Sequence, residues 1–423
     1  MGGEQMILEP TAWNNEQKQA GINSFGFGGT NAHMVVLNHL PETAQGKKEA
    51  TPEHKAMAII GMDTHFGDCE GLEEFYQTIF KGRQHFREIP AQRWKGFDAN
   101  EELLKAYGFE DGKAPKGAYI EDFEIDLLRY KIQPQEAETL EPQQALILKV
   151  ADQALKDAGL KESQNVAVLI AMESELSIHH YLARWDMSWQ LKAALEKHPQ
   201  LAASLSEEAI AELEATCKNL MYHREGSQSP SQHTSFVGNI MASRIAALWD
   251  FNGPAFTVSC GEQSAFRALE IARNMLSQNE VDAVVVGAVD FSGGLENVLL
   301  RQKDHPLNQN ENPSISWNQK DEGWLIGEGA AAIVLKRQDQ ISDEKVYAVI
   351  DDIAPAKQVA NIGLLEIAGT GIAAEDKAEL QQILQTESIQ DTAIGCVKAN
   401  IGHSFAASGL AALIKSTLCL HHK

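Results

Sequence analysis

Residues 252–272, NGPAFTVSCGEQSAFRALEIA, are the stretch that decides the fold. Their apolar first half predicts a buried strand, the glycine that follows predicts a tight turn, and the later apolar spacing predicts an amphipathic helix. A helix N-terminus presents unpaired N–H groups and the positive end of the helix dipole, which favour the thiolate of a cysteine placed there. In this chain Glu262 and Gln263 occupy the first predicted helical positions, and Cys260 precedes them. The place that suits a thiol nucleophile therefore holds no thiol.

Length, composition and charge limit the class of protein. The chain has 423 residues, 43% of them hydrophobic and 7% aromatic, which predicts one large or two fused α/β units. The net charge of −23 argues against a nucleic-acid partner, because phosphate binding requires clustered Lys and Arg. No run of about 18 apolar residues and no signal peptide is visible, so we expect a cytoplasmic protein without membrane contact. The five cysteines lack zinc or disulfide spacing, which predicts no bound metal and a reducing compartment.

Buried strands alternate with helices along most of the chain. Residues 41–54 are polar and lack apolar periodicity, which is typical of a linker. Residues 173–230 are helix-rich and charged on one face, and we predict a peripheral insertion there. Elsewhere, apolar strands such as 165–172 and 282–289 alternate with amphipathic helices such as 140–160. The pattern predicts an α/β fold of largely parallel sheets with helices on their faces.

Several sequence blocks follow one another in a recognisable order. They are AIIGM (58–62), GLEEFY (71–76), IPAQRW (89–94), GAYIEDF (117–123), LEPQQALILKVADQALKDAG (140–159), FVGNIMASRIAALWDFNGPAFTV (236–258), DEGWLIGEGAAAIVLK (321–336) and VKANIGHSFAASGLAALIK (397–415). Together they resemble the β-ketoacyl synthases of fatty-acid and modular polyketide synthases. The resemblance covers the chain from Ala56 onward apart from the insertion. It implies an α/β fold of the thiolase-like kind, with layers in the order αβαβα.

The resemblance also implies a catalytic site of one cysteine and two histidines. In the family, the thiolate takes an acyl chain from the phosphopantetheine of an acyl carrier protein, and no cofactor is bound. The histidines assist malonyl decarboxylation and stabilise the enolate oxyanion. Aligned from both flanks, Glu262 stands at the nucleophile position and Ala368 stands at the first histidine position. Lys398 and His403 are retained, so two of the three catalytic positions have lost the family's residue.

This loss resembles one subclass of the family, the chain length factors. Such proteins lack the cysteine and pair with an active ketosynthase, which implies a pseudo-homodimer that works with an acyl carrier protein. The pair Glu262-Gln263 is similar to the acidic-plus-glutamine run that chain length factors often carry. By this resemblance we assign Gln263 to substrate binding, with Glu262 or Gln263 shaping a pocket beside the partner's acyl chain.

The first 40 residues resemble a different part of the same family. Residues 24–33, SFGFGGTNAH, are similar to the closing motif of a ketosynthase, although they precede the domain. In an intact ketosynthase the residues at Phe25, Phe27, Gly28 and Gly29 would gate the substrate site or form its oxyanion hole. We therefore expect a piece of a longer polypeptide, similar to the bacterial synthases of polyunsaturated fatty acids. Its expected parts are a ketosynthase tail (1–40), a linker (41–54), an N-terminal half (55–340) and a C-terminally truncated second half (341–423).

Other interpretations of the same residues stay open at this point. Glu262 could cap its helix in place of the thiolate charge. Lys398 and His403 could be residual electrophiles, or they could be ion-pair partners of Glu262 that keep the old pocket filled. The chain could also be a malonyl-carrier-protein decarboxylase that uses Gln263 and His403, or an active 3-oxoacyl synthase that uses Cys260.

Overall fold

The computed structural model describes most of the chain, in ten stretches. These are residues 19–25, 31–37, 55–91, 93–137, 140–173, 178–222, 237–315, 322–353, 362–386 and 392–422. The chain divides into two compact units, Met1–Glu53 and His54–Lys423. Within the described stretches, no helix has the length and hydropathy needed to cross a membrane.

The first unit contains a two-stranded hairpin. Strand β1 (Gln19–Phe25) pairs antiparallel with strand β2 (Asn31–Leu37), so the hairpin places Phe25 opposite Asn31. Phe25 is thus the last residue of β1. The other predicted substrate-binding residues of this segment, Phe27, Gly28 and Gly29, lie outside the described residues.

The second unit holds the remaining elements. Its strands, within the described residues, are β3 (Met57–Phe66), β4 (Cys69–Glu70), β5 (Gly117–Ala118), β6 (Val166–Met172), β7 (Ala255–Val258), β8 (Ala283–Phe291), β9 (Ile326–Arg337), β10 (Ala348–Ile350), β11 (Leu364–Glu366) and β12 (Ala393–Gly395). Its α-helices are α1 (Leu72–Phe80), α2 (Glu101–Ala106), α3 (Pro134–Ala137), α4 (Pro142–Asp157), α5 (Ile178–Lys197), α6 (Pro199–Ser204), α7 (Glu207–Tyr222), α8 (Asn239–Trp249), α9 (Ser264–Ser277), α10 (Leu295–Asp304), α11 (Ala373–Thr386), α12 (Lys398–Ile401) and α13 (Phe405–His422).

A mixed sheet of eight strands forms the centre of the described part of this unit. Its main path is β10-β3-β9-β8-β6-β7, in which only the pairs β8–β6 and β6–β7 are parallel. The pairs β10–β3, β3–β9 and β9–β8 are antiparallel, so the prediction of largely parallel sheets is wrong. The cause is that an apolar run indicates burial on both faces of a strand and says nothing about its direction. Phe291 at the end of β8 pairs with Glu328 near the start of β9, so β9 runs back from the edge where β8 ends.

Helices cover both faces of the central sheet. Side chains alternate between the two faces along each strand. On one face, Val168 of β6 belongs to the same hydrophobic cluster as Leu146 of α4. The next residue, Leu169, lies on the other face and belongs to the same hydrophobic cluster as Leu410 of α13. A Cβ at Gly61 of β3 would lie less than 3.0 Å from the backbone of α4, so glycine is what lets that helix approach. Burial of both faces explains why these strands are continuously apolar.

Beyond α13 lies a second, small sheet. Strands β11 and β12 form a parallel pair, and α11 connects them. Lys415 of α13 reaches this pair, with its Nζ 2.7 Å from Oε2 of Glu366. The described layers therefore run from α4 and α8 through the central sheet and α9 and α13 to the second sheet.

Two local predictions can be compared directly with the helices. The amphipathic segment 140–160 contains α4, and Gly159 beyond its end has a left-handed φ of +65°, as expected of a glycine that terminates a helix. The segment 173–230 contains α5, α6 and α7.

Candidate functional site

The carboxyl ends of the parallel strands β7, β6 and β8 meet at one edge of the central sheet. The pairing places Ala171 opposite Val258 and Met172 opposite Val289. Ligands of open α/β sheets bind outside such carboxyl ends. The turn at residues 259–263 follows β7 directly, so the expected nucleophile position lies at this edge.

A tight turn separates β7 from α9. Gly261 has a φ of +60°, and the N–H of Gln263 donates to the carbonyl of Cys260 at 3.2 Å. The buried Ser264 hydroxyl accepts from the Cys260 N–H at 2.8 Å and donates to the Gly261 carbonyl at 2.6 Å. Because this serine closes the turn, α9 begins at Ser264 with Gln263 as its N-cap residue. The prediction that Glu262 and Gln263 fill the first helical positions is therefore wrong by two residues.

His403 is fixed in place by its backbone. Gly402 has a φ of +71°, and a Cβ there would lie less than 3.0 Å from the carbonyl oxygen of Ile326. The N–H of His403 donates to the Leu325 carbonyl at 2.7 Å, and the Ser292 hydroxyl donates to the His403 carbonyl at 3.1 Å. The glycine in the run NIGH is thus required for this close crossing of two backbone segments.

Both ring nitrogens of His403 are engaged. Nδ1 accepts the N–H of Phe405 at 3.1 Å and lies 3.3 Å from the Ser408 hydroxyl. A backbone N–H can only donate, so Nδ1 is the acceptor and the neutral ring carries its proton on Nε2. The Nε2–H donates to Oε2 of Glu262 at 3.0 Å. Nζ of Lys398, a nearly buried side chain, lies 3.9 Å from the same oxygen.

The surrounding charges keep Glu262 ionised and His403 neutral. Burial acts to raise the pKa of Glu262, but the hydrogen bond from His403 and the charges of Lys398 and Arg301 outweigh it and lower that pKa to about 2. Burial and the charge of Lys398 lower the pKa of His403 to about 4, against the opposite effect of Glu262. At neutral pH the contact is therefore a hydrogen bond from a neutral imidazole to a carboxylate.

In this arrangement Glu262 and His403 are engaged with each other. A carboxylate with a pKa of about 2 is a weak base and a poor acyl acceptor at neutral pH. His403 has no free nitrogen to accept a proton or hold an oxyanion while Glu262 stays in place. The geometry corresponds to the interpretation in which His403 and Lys398 are partners of Glu262.

The remaining predicted residues lie outside this cluster. Cys260 and Gln263 are exposed on the turn. Ala368 lies in a loop that helix α11 holds, since its N–H donates to Oε1 of Glu379 at 2.7 Å. Its methyl group offers no replacement for the chemistry of an imidazole. Among the described residues, no group of three or more His, Cys, Asp or Glu side chains is arranged to hold a metal ion.

The sequence did not predict a group of two aromatic side chains and one arginine that packs beside His403. The ring of Phe405 stacks on the imidazole with 4.2 Å between centroids, and Trp324 stands edge-on to both rings. The guanidinium carbon of Arg301, on α10, lies 3.2 Å from the Phe405 centroid. Phe405 and Trp324 lie inside two of the family-like blocks, so their membership of those blocks could have indicated that they lie at the site. Nothing in the sequence of α10 marks Arg301.

Comparison with known proteins identifies the family. The family model "Beta-ketoacyl synthase, N-terminal domain" matches residues 54–340, and "Beta-ketoacyl synthase, C-terminal domain" matches residues 325–423. A third model, "Ketoacyl-synthetase C-terminal extension", matches residues 4–75. The chain is 30% identical to a polyunsaturated fatty acid synthase polypeptide of Thraustochytrium sp., over 96% of this chain and 21% of that protein.

Solved structures agree with the sequence comparison. The structure titled "PfaC Keto synthase-Chain length factor" is 38% identical, with a TM-score of 0.80 over 97% of this chain and 44% of that one. A ketosynthase from module 6 of the Bacillus subtilis bacillaene synthase is 23% identical, with a TM-score of 0.61 over 87% of this chain and 61% of the ketosynthase chain. At this identity the likeness is evidence for the fold and not for the function. These neighbours confirm the predicted thiolase-like α/β class. The chain spans about a fifth or less of the first curated relatives that it matches. It belongs to the β-ketoacyl synthase family.

Proposed function

We propose that this chain contains a non-condensing, chain length factor-like domain that pairs with an active ketosynthase during carrier-protein-dependent chain elongation. The observation that carries the proposal is the closed contact among Glu262, His403 and Lys398 at the nucleophile position. It fills the reactive site with a low-pKa carboxylate and engages Nε2 of the retained histidine, whose Nδ1 already accepts the Phe405 N–H. The likeness to a keto synthase–chain length factor structure supports the same conclusion. The substrate would be an acyl chain on the phosphopantetheine of an acyl carrier protein, with no resident cofactor.

The domain arrangement forms part of the same proposal. Residues 1–40 would be the tail of an upstream ketosynthase, followed by a linker at 41–54. The match of residues 4–75 to a ketoacyl-synthetase C-terminal extension supports a tail in this position. Residues 55–340 would be the N-terminal half, and residues 341–423 would belong to the C-terminal half.

The edge of the central sheet supports the proposed pairing. Strand β7 ends the path of the described sheet, and Phe256, Thr257 and Val258 are only half buried. An edge strand presents backbone N–H and C=O groups that a strand of a partner can pair with. The Asn239 side chain already accepts the Thr257 N–H at 3.1 Å, so pairing would use other groups of the edge. Such a partner would approach the turn that carries Glu262.

The proposal is tested by asking what the purified chain does alone and with a ketosynthase. We expect intact-mass spectrometry to show no acyl adduct after incubation with an acyl-pantetheine thioester. We also expect sedimentation to show a complex with the active ketosynthase of the same synthase, whose product length then changes. A cerulenin adduct on Cys260 would favour the active synthase instead. Carbon dioxide release from malonyl-carrier protein, abolished by His403→Ala, would favour the decarboxylase.

A further inference from the structure

A cavity of about 560 Å³ opens on the α4 side of the central sheet. It lies between α4, strand β3 and the segment that leads from β4 into α1, and its lining residues are separate from the Glu262 site. Its titratable lining consists of Asp63, His65, Glu70, Lys149, Lys156 and Asp157. A cavity of a few hundred Å³ accommodates a small organic group. There is therefore room for a ligand among these side chains.

Both lysines of this lining are already paired. Nζ of Lys149 lies 2.5 Å from Oε1 of Glu70 and also donates to the Glu124 carbonyl at 2.9 Å. Nζ of Lys156 lies 2.7 Å from Oδ2 of Asp152. Neither ammonium can neutralise a further carboxylate without giving up a partner.

Asp63 is the carboxylate of this lining that has no cation. Asp157 pairs with Lys345 at 3.3 Å, but no Lys, Arg or His among the described residues forms an ion pair with Asp63. Burial raises the pKa of Asp63 to about 7 against the effect of the Thr64 and Leu72 N–H groups, and the charge of Asp157 adds to the increase. A cation in the cavity would stabilise the ionised form of Asp63.

His65 contributes an unused hydrogen-bond acceptor to the same cavity. Its side chain is 4% exposed, and its Nδ1 is buried without a hydrogen-bond partner. Burial lowers the pKa of His65, so the ring is neutral at pH 7. A backbone hydrogen bond to Gly67 acts to raise that pKa, as a carbonyl acceptor does, and it must use Nε2 because Nδ1 is unpartnered. Nδ1 of the neutral ring is therefore an acceptor without a donor.

The two acceptors lie within reach of one ligand atom. Asp63 and His65 are two residues apart on β3, so both side chains project from the same face of the strand, toward α4. A strand rises about 3.3 Å per residue, which separates their Cα atoms by about 6.6 Å. A nitrogen with two hydrogen bonds of about 2.9 Å spans up to about 5.8 Å between its acceptors. Rotation of the two side chains covers the remaining difference.

We propose that this cavity binds a primary ammonium group, which would donate to the Asp63 carboxylate and to Nδ1 of His65. A primary ammonium supplies three N–H donors and one positive charge. A carboxylate or phosphate would be repelled by Asp63, and a neutral alcohol would leave its charge without a counter-ion. A small free amine and a lysine side chain share the required chemistry. The inference does not rest on the proposed function.

The test measures binding to the 423-residue chain by thermal shift, in which a ligand of the folded state raises the melting temperature according to its affinity. The buffer contains no amine, and the ionic strength is constant. The primary ammonium probes are propylammonium and, as the lysine source, Nα-acetyl-lysine amide. The comparison probes are tetramethylammonium, which has the charge but no N–H donor, and propan-1-ol, which has a donor but no charge. We expect at least one primary ammonium probe to bind more tightly than both comparison probes.

Binding by the wild-type chain should also depend on pH. With a pKa of about 7, Asp63 is ionised in about 9% of molecules at pH 6 and in about 91% at pH 8. The ammonium probes stay charged over this range, because their pKa is near 10. The pKa of Glu70 is lowered by its hydrogen bond from Lys149 and that of His65 by burial, so these two groups change charge less than Asp63 does. We therefore expect about tenfold tighter binding at pH 8 than at pH 6.

Variants test each acceptor separately. Asp63→Asn should weaken binding about tenfold or more, because it removes the counter-charge, and His65→Phe should weaken it about threefold, because it removes a neutral acceptor. Asp68→Asn is the matched control: this exposed carboxylate on the same β3–β4 hairpin pairs with Arg87 and lies outside the lining, so binding should be unchanged. Unliganded melting temperatures report whether each variant folds, and the pH comparison needs no variant.

Binding of the lysine probe alone would support the site and assign it to a lysine side chain. The inference would be overturned if either comparison probe bound as tightly as the ammonium probes, if binding were equal at pH 6 and pH 8, or if no probe bound. None of these results affects the pairing and acylation tests of the proposed function.

Discussion

Glu262→Cys places a thiol at the family's nucleophile position and tests whether the surroundings still favour an anion there. In the wild-type chain, Nε2 of His403 lies 3.0 Å from Oε2 of Glu262, and Nζ of Lys398 lies 3.9 Å from the same oxygen. The same proton and the same charge would face a thiolate. We therefore expect the new thiol to have a pKa below that of an ordinary cysteine.

The size of the effect follows from the carboxylate that it replaces. Despite burial, the hydrogen bond and charges around Glu262 lower its pKa from 4.5 to about 2. Its side chain is 49% exposed, so solvent screens these charges and we transfer less than half of the lowering. The thiol pKa should then fall from about 8.5 to about 7.5. At pH 7 this raises the thiolate fraction from about 3% to about 24%, an increase of about eightfold.

The assay is the rate of iodoacetamide alkylation at residue 262 from pH 6 to pH 9, followed by peptide mass spectrometry. Gln263→Cys is the matched control: as the N-cap residue of α9 it shares the helix N-terminus, but no histidine or lysine contact is described for it, so a lower thiol pKa at residue 262 reports those contacts. Adding Lys398→Met to Glu262→Cys should return the thiol pKa part of the way to its ordinary value. A thiol at residue 262 whose pKa is no lower than that of the Gln263→Cys thiol would refute the electrostatic argument.

Three further predictions concern stability. Burial raises the pKa of Asp63 to about 7, so the ionised carboxylate lowers the free energy of unfolding progressively as pH rises from about 4 to 7. In urea titrations, Asp63→Asn should therefore become more stable than the wild-type chain over that range, and the difference should stay constant above pH 7. Gly402→Ala should lose more than about 2 kcal/mol in the same titrations, because φ is +71° and the new methyl meets a backbone carbonyl, whereas Gly363→Ala, with open space around it, should be neutral. Lys415→Met leaves the nearly buried Glu366 without its cation and should cost about 3–5 kcal/mol, and a loss below about 1 kcal/mol would contradict the ion pair.

The fold was predictable where the signal is local. Periodicity placed α4 within the predicted segment, and the family-like blocks indicated the thiolase-like class. Strand direction was not predictable, since β8 and β9 are equally apolar whether they run parallel or antiparallel. The start of α9 was also missed, because the Ser264 hydroxyl hydrogen-bonds to the backbone of Cys260 and Gly261, which keeps these residues in a turn, and the helix begins only at Ser264.

The sequence by itself determined which chemical groups are present at the site. It showed that residue 262 has no thiol, that residue 368 has no imidazole, and that His403 and Lys398 are retained. Only the tertiary structure decided how these groups are used. The hydrogen bond between Glu262 and His403 joins residues 141 positions apart, and the Phe405 N–H sets the ring tautomer. Periodicity reports which face of an element is buried, but the partner of a polar atom depends on which distant segment packing brings against it.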